Sequence, residues 1–145
     1  MSLLEISQDD LGIINLFASI CGVIPTDMVK DGKNYIFLVD PMFLGKAIGK
    51  EGVNIKRLRA RLGGNVMIAK DANTEEDFLR GYLNNVQILD IERREAPGQV
   101  ALFITVPDVQ RGIAIGKEGM RIKGLKAIMK RKFGADIFLK TRRTV

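Results

Sequence analysis

The chain has 145 residues, 46% of them apolar and 28% charged, an ordinary globular composition with room for one domain or two small ones. Its net charge of +6 is segregated: residues 42–70 carry +6 and residues 107–145 carry +8, which leaves −8 for the rest, and such basic blocks point to a polyanionic partner. One cysteine, Cys21, and no histidine exclude an intramolecular disulfide, soft-ligand metal sites and Cys/His or Ser/His catalysis.

The first element is the apolar run over residues 11–24. It is too short to cross a bilayer, and Asp9 and Asp10 precede it where a signal peptide would be basic. It predicts a buried helix in a soluble, untargeted, cytoplasmic protein. Cys21 is expected as a small core residue, and Ser7 opens a Ser-x-x-Asp start for the helix. Two apolar runs around Asp31-Gly32 then predict a β-hairpin.

Residues 45–58 read GKAIGKEGVNIKRL, and residues 112–125 read GIAIGKEGMRIKGL. Ten of these 14 positions are identical at an offset of 67 residues, far above coincidence. The likeness extends outward. The first GKEG precedes an amphipathic helix carrying Ile55, Leu58 and Leu62, with Lys56, Arg57, Arg59 and Arg61 between them. The second precedes one carrying Ile122, Leu125, Met129 and Phe133 among five cations. These helices end at Gly63 and Gly134, 71 residues apart, so the second is longer by four residues, about one turn. Short strands follow, at residues 66–68 and 137–139. Ahead of the second block, Thr74 begins a helix start before Phe78, Leu79, Tyr82 and Leu83, and a second hairpin turns at Pro97-Gly98. The unit helix-strand-strand-helix-GKEG-helix-strand therefore occurs twice. Its boundary lies near residues 71–73, which gives domains over 1–71 and 72–145.

The glycines of GKEG carry the chemistry. Glycine admits positive φ and lets a second backbone approach closely. The helix that follows presents its unpaired N–H groups and positive dipole end at the turn, where a phosphate is the natural guest. Lys50 and Lys117 add charge, while Glu51 and Glu118 read as first-turn residues favourable to the helix dipole. A Walker loop is excluded: only three residues separate Gly45 from Gly49 and Gly112 from Gly116, and glutamate stands where a magnesium-binding hydroxyl belongs. A dinucleotide fingerprint is excluded because Ala47 and Ala114 occupy its first glycine. Aromatics are few, which suits a groove that packs bases against aliphatic side chains.

Ile48-Gly49-Lys50-Glu51-Gly52 and Ile115-Gly116-Lys117-Glu118-Gly119 resemble the I-G-x-x-G signature of K-homology (KH) domains. The element order resembles the type II form, and the whole chain is similar to the short archaeal members of the NusA family. The resemblance implies an α+β fold of two tandem type II KH domains, each with a three-stranded sheet backed by helices. It also implies a non-enzymatic monomer that binds single-stranded RNA during transcription elongation, termination or antitermination, with RNA polymerase as a further partner. No membrane, metal or small-molecule cofactor is implied. The GxxG roles fall on Ile48, Gly49, Lys50, Glu51, Gly52 and on Ile115, Gly116, Lys117, Glu118, Gly119. Asn54, Arg57, Arg121 and Lys123, just past the turns, are expected to touch phosphate alongside the two loop lysines. A KH protein of the ribosome or of RNA processing, or a protein-interaction module, fits the same residues. The stretch 140–143 reads as a frayed, solubilising end, with sequence-independent attraction for RNA as the alternative.

Overall fold

The computed structural model describes residues 8–143. The chain divides into two compact units, Met1–Ala72 and Asn73–Val145.

In the first unit, α1 (Gln8–Cys21) leads to β1 (Asp27–Asp31) and β2 (Asn34–Val39). A single 3₁₀ turn, Pro41–Phe43, opens the short helix α2 (Leu44–Ile48). Then come α3 (Val53–Leu62) and β3 (Asn65–Lys70). The hairpin places Asp31 opposite Asn34, with Gly32 at φ +60° in the first central position of the turn. Strand order is β1-β2-β3, β1 antiparallel and β3 parallel to β2. A parallel return needs a crossover, and the pair α2 and α3 supplies it. The core gathers Phe17, Cys21, Met28, Phe37, Val39, Ala47, Leu58 and Val66, with Phe17 stacked on Phe37 at 4.4 Å between ring centroids.

The second unit repeats this order with α4 (Glu75–Tyr82), β4 (Asp90–Ala96), β5 (Gln99–Pro107), α5 (Arg111–Ile115), α6 (Met120–Phe133) and β6 (Ala135–Arg142). Its sheet runs β4-β5-β6, with β4 antiparallel and β6 parallel to β5. Phe78, Tyr82, Leu102, Ile104, Leu125, Ile128 and Ile137 are buried. Thr74 caps α4, its hydroxyl accepting the Asp77 N–H at 3.2 Å, as its Thr-x-x-Asp pattern predicts. Helix α6 has 14 residues against 10 in α3, the extra turn read from the spacing of the closing glycines.

Two expectations are corrected, and a third is untested. Helix α1 is buried along one stripe only: Phe17 and Cys21 are covered, Leu11 is half exposed, and the helix stops at Cys21 before the exposed Ile24. The expectation of a buried helix holds for that stripe alone. The stretch 140–142 is no frayed end but the last part of β6, where Lys140, Thr141 and Arg142 pair with Thr105, Val106 and Pro107. The expected cap Ser7 lies outside the described residues. Among the described residues, no helix is long and apolar enough to cross a membrane.

Candidate functional site

The two GKEG turns have the same backbone. Gly49 and Gly116 sit at φ 79°, with ψ 168° and 175°. That region is closed to any residue with a Cβ. Each first glycine caps the short helix before it, its N–H donating to the carbonyl of Gly45 or Gly112 at 3.0 Å. Each turn then closes through the N–H of Gly52 or Gly119 onto the carbonyl of Gly49 or Gly116 at 3.1 Å. Glu51 and Glu118 are the described non-glycine residues with positive φ, both at 55°. They are therefore turn residues, not members of the helical first turn as their position had suggested. The helices start after Gly52 and Gly119, which are themselves left-handed at φ 72° and 75°.

The paired glycines differ in surroundings. A Cβ on Gly49 would lie 2.9 Å from Asn54 Nδ2, and one on Gly116 would lie 2.6 Å from Arg121 Cβ. The first glycine is thus pressed against the helix that follows. A Cβ on Gly52 would meet nothing within 4 Å. At Gly119 it would meet only the Lys123 side chain, Cε at 3.4 Å and Nζ at 4.0 Å. The outer side of each turn is therefore open, with Lys50, Glu51, Lys117 and Glu118 exposed. Lys123 lies back along its turn and brings an ammonium beside the open glycine. Arg57 is exposed on the solvent side of α3.

Two residues expected to touch phosphate do other work. Asn54 is buried, and its carboxamide Nδ2 donates to the carbonyls of Lys46 at 3.2 Å and Ala47 at 3.1 Å. It ties the C-terminal end of α2 to the start of α3. Arg121, at the matching position, donates to the Ile113 carbonyl (3.1 Å), the Tyr82 carbonyl (3.0 Å) and Asn85 Oδ1 (2.7 Å). The Tyr82 hydroxyl in turn donates to the Arg121 carbonyl at 2.7 Å. Burial pushes the Tyr82 phenol well above its ordinary range, with the Arg121 charge opposing, and the same desolvation lowers Arg121. The terminal nitrogens of the guanidinium are committed to three protein oxygens, while its Nε is buried without a hydrogen-bond partner, so Arg121 braces the turn from within its own unit. Charge and position after the loop suggested contact; the available backbone carbonyls took the donors instead.

Beside the second turn lies a cleft of about 320 Å³, lined by Arg111 and Ile115 of α5, Ile122 and Lys126 of α6, and Phe138 and Leu139 of β6. Of these, only Ile115 stood among the expected site residues. Ile122 read as core because it falls on the apolar spacing of α6, yet it is half-buried and faces the cleft. Phe138 was legible: it neighbours the buried Ile137 in a strand, so period-2 alternation puts it on the other face. Two cations among apolar walls can hold a backbone while those walls pack a planar group.

A three-stranded α+β unit whose paired helices are joined by an I-G-x-x-G turn is a KH domain, and the family model described as "KH domain" matches residues 79–145. Across the whole chain, 27% identity over 133 residues relates it to the "Probable transcription termination protein NusA" of Halobacterium salinarum, with 92% of this chain and 95% of that one covered. The protein of the same description from Methanocaldococcus jannaschii is 26% identical over 132 residues, covering 90% of this chain and 72% of the other. The crystal structure of APE1850 superposes with a TM-score of 0.79 at 32% identity, covering 94% of this chain and all of that one. The KH family model thus covers the second unit, and the chain as a whole is similar to archaeal proteins described as transcription termination protein NusA.

Proposed function

We propose that the chain is a tandem pair of type II KH domains, over residues 1–71 and 72–145, that binds single-stranded RNA in transcription termination or antitermination. Each GKEG turn clamps a sugar-phosphate strand, and a GxxG loop of this class holds about four nucleotides. The observation that carries the reading is the likeness of the two turns: the same positive-φ backbone, a second glycine clear of fixed atoms and the same exposed lysine. Positive-φ geometry costs about 1–3 kcal/mol at each strained residue, and it is kept in both copies where it leaves an outward face for a ligand. Lys50, Arg57, Lys117 and Lys123 supply phosphate contacts, and in the second domain the aliphatic cleft takes the bases. The archaeal relatives described as transcription termination proteins support the transcriptional setting, and RNA polymerase is the proposed partner whose transcript is bound.

The test is equilibrium binding to single-stranded RNA across a salt series. Log affinity falls with log salt at about −0.7 per phosphate neutralised. The double variant Gly52→Asp, Gly119→Asp is expected to abolish binding while circular dichroism stays native. Aspartate tolerates the left-handed backbone better than most residues, and nothing fixed occupies the space its Cβ would fill. Unchanged affinity in that variant removes the turns from the mechanism.

A further inference from the structure

The outer face of the second sheet carries an aromatic pair. Phe103 of β5 and Phe138 of β6 are register partners, and their rings stack with centroids 5.0 Å apart and planes 18° off parallel. Arg94 covers Phe103, its Cζ 4.5 Å from the ring centroid, and Lys140 Nζ stands 5.8 Å from the same ring. Phe138 is left 47% exposed. The nearby carboxylates are engaged: Glu92 accepts from Arg94 Nε at 2.9 Å, and Asp136 pairs with Lys130 at 3.3 Å. Asp90 lies on β4, across β5 from Lys140.

Phe138 is also part of the wall of the cleft beside the second GKEG turn, with Arg111 and Lys126. Phe138 therefore adjoins the cleft at β6. We infer that Phe138 is a stacking platform for the base of the RNA nucleotide adjoining those in the cleft, with Lys140 beside the phosphate of that nucleotide. The inference rests on the RNA-binding reading above. An exposed phenylalanine has a π-face that accepts any base, and the cations around it favour a phosphodiester over an apolar protein surface. The platform belongs to one repeat only: Ile36 and Met67 occupy the corresponding register pair in the first sheet. The two domains then differ in task, with the second holding one base more firmly than the first.

The experiment uses the full chain and a fluorescein-labelled single-stranded RNA dodecamer, read by anisotropy at several salt concentrations. Phe138→Leu keeps the apolar contact with Phe103 and removes the ring. It is expected to weaken binding roughly five- to hundredfold, the range of base–aromatic stacking, with the salt slope unchanged because no charge is lost. Phe138→Tyr, which keeps the ring, is expected to bind within about twofold of wild type. The inference is overturned if Phe138→Leu binds like wild type, or if Phe138→Tyr loses as much as Phe138→Leu. If Phe138→Leu is neutral while Gly52→Asp, Gly119→Asp abolishes binding, the platform alone is wrong. If wild type fails to bind single-stranded RNA at low salt, the RNA-binding reading falls and takes the platform with it.

Discussion

Arg121 separates two accounts of the second turn. Truncation to alanine removes three hydrogen bonds from a charged donor, to the Ile113 carbonyl, the Tyr82 carbonyl and Asn85 Oδ1. A bond to a charged group is worth about 1.5–3 kcal/mol when shielded. Only the Tyr82 contact is partly buried, and the other two are exposed, so each of those adds about 0.5 kcal/mol. The total loss is about 2–4 kcal/mol from the second unit, or about 10–25 °C in its melting temperature. Lys117→Ala and Lys123→Ala remove exposed ammonium groups and are expected to change stability by less than about 0.5 kcal/mol. Urea unfolding followed by circular dichroism, with amide exchange to assign the loss to the second unit, measures the first quantity. The RNA salt slope measures the second. Arg121→Ala should cost stability without lowering the salt slope, whereas each lysine variant should lower the slope by about 0.7 without costing stability. If Arg121→Ala leaves stability at wild type and lowers the slope as a lysine variant does, the guanidinium reaches phosphate and the brace is an error.

The two glycines of each turn should respond unequally to alanine. At Gly116 the new methyl would sit 2.6 Å from Arg121 Cβ and 3.0 Å from its backbone nitrogen, at a φ/ψ closed to alanine. A loss of about 3 kcal/mol or more is expected, against about 1–2 kcal/mol for Gly119→Ala, whose nearest neighbour is a flexible lysine; equal losses in chemical denaturation would contradict this packing. Burial pushes the Cys21 thiol up from 9.0 to about 11. Its neutral form is favoured by the fold, so its contribution to stability is intact below about pH 9 and is lost as pH rises toward 11. The first unit should lose about 1.4 kcal/mol per pH unit in that window, Cys21→Ala should flatten the slope, and fast reaction of native Cys21 with a disulfide reagent at pH 8 would count against it.

The duplication made the element order legible. Once residues 45–58 and 112–125 are aligned, every strand and helix of one unit has a counterpart in the other, and patterns too short to trust alone support each other. The turns were legible for the same reason, since glycine at both ends of two copies points to a backbone that needs it. The side-chain roles around them were less so. Asn54 and Arg121 are polar residues just past a loop, and nothing local says whether their donors face a ligand or the carbonyls of a preceding helix; three-dimensional proximity of Ile113 and Tyr82 decides that. Glu51 and Glu118 were misplaced because an acid near a helix start usually lies inside its first turn, whereas here the helix begins after a left-handed glycine. The cleft was missed because its walls come from three elements separated by up to 28 residues, and Ile122 carries a spacing indistinguishable from core.

The position shared by Asn54 and Arg121 shows how a repeat diverges while keeping its site. Both side chains satisfy carbonyls at the end of the short helix before the turn, which a helix of five residues cannot satisfy within itself. Asparagine reaches no further. Arginine is long enough to reach also the last turn of α4, and Tyr82 there returns a hydrogen bond to the Arg121 backbone. Tyr82 follows the buried Phe78 by four residues, as Cys21 follows the buried Phe17, so the first unit has a thiol where the second has a phenol. A Cys and Asn pair offers no counterpart to this two-way contact. The second turn is therefore fastened to the first helix of its own unit, and a fastened turn loses less conformational freedom when a strand is clamped. The divergence thus adds a two-way hydrogen-bonded contact to the second unit, while the unaltered GKEG backbone keeps the turn geometry common to both.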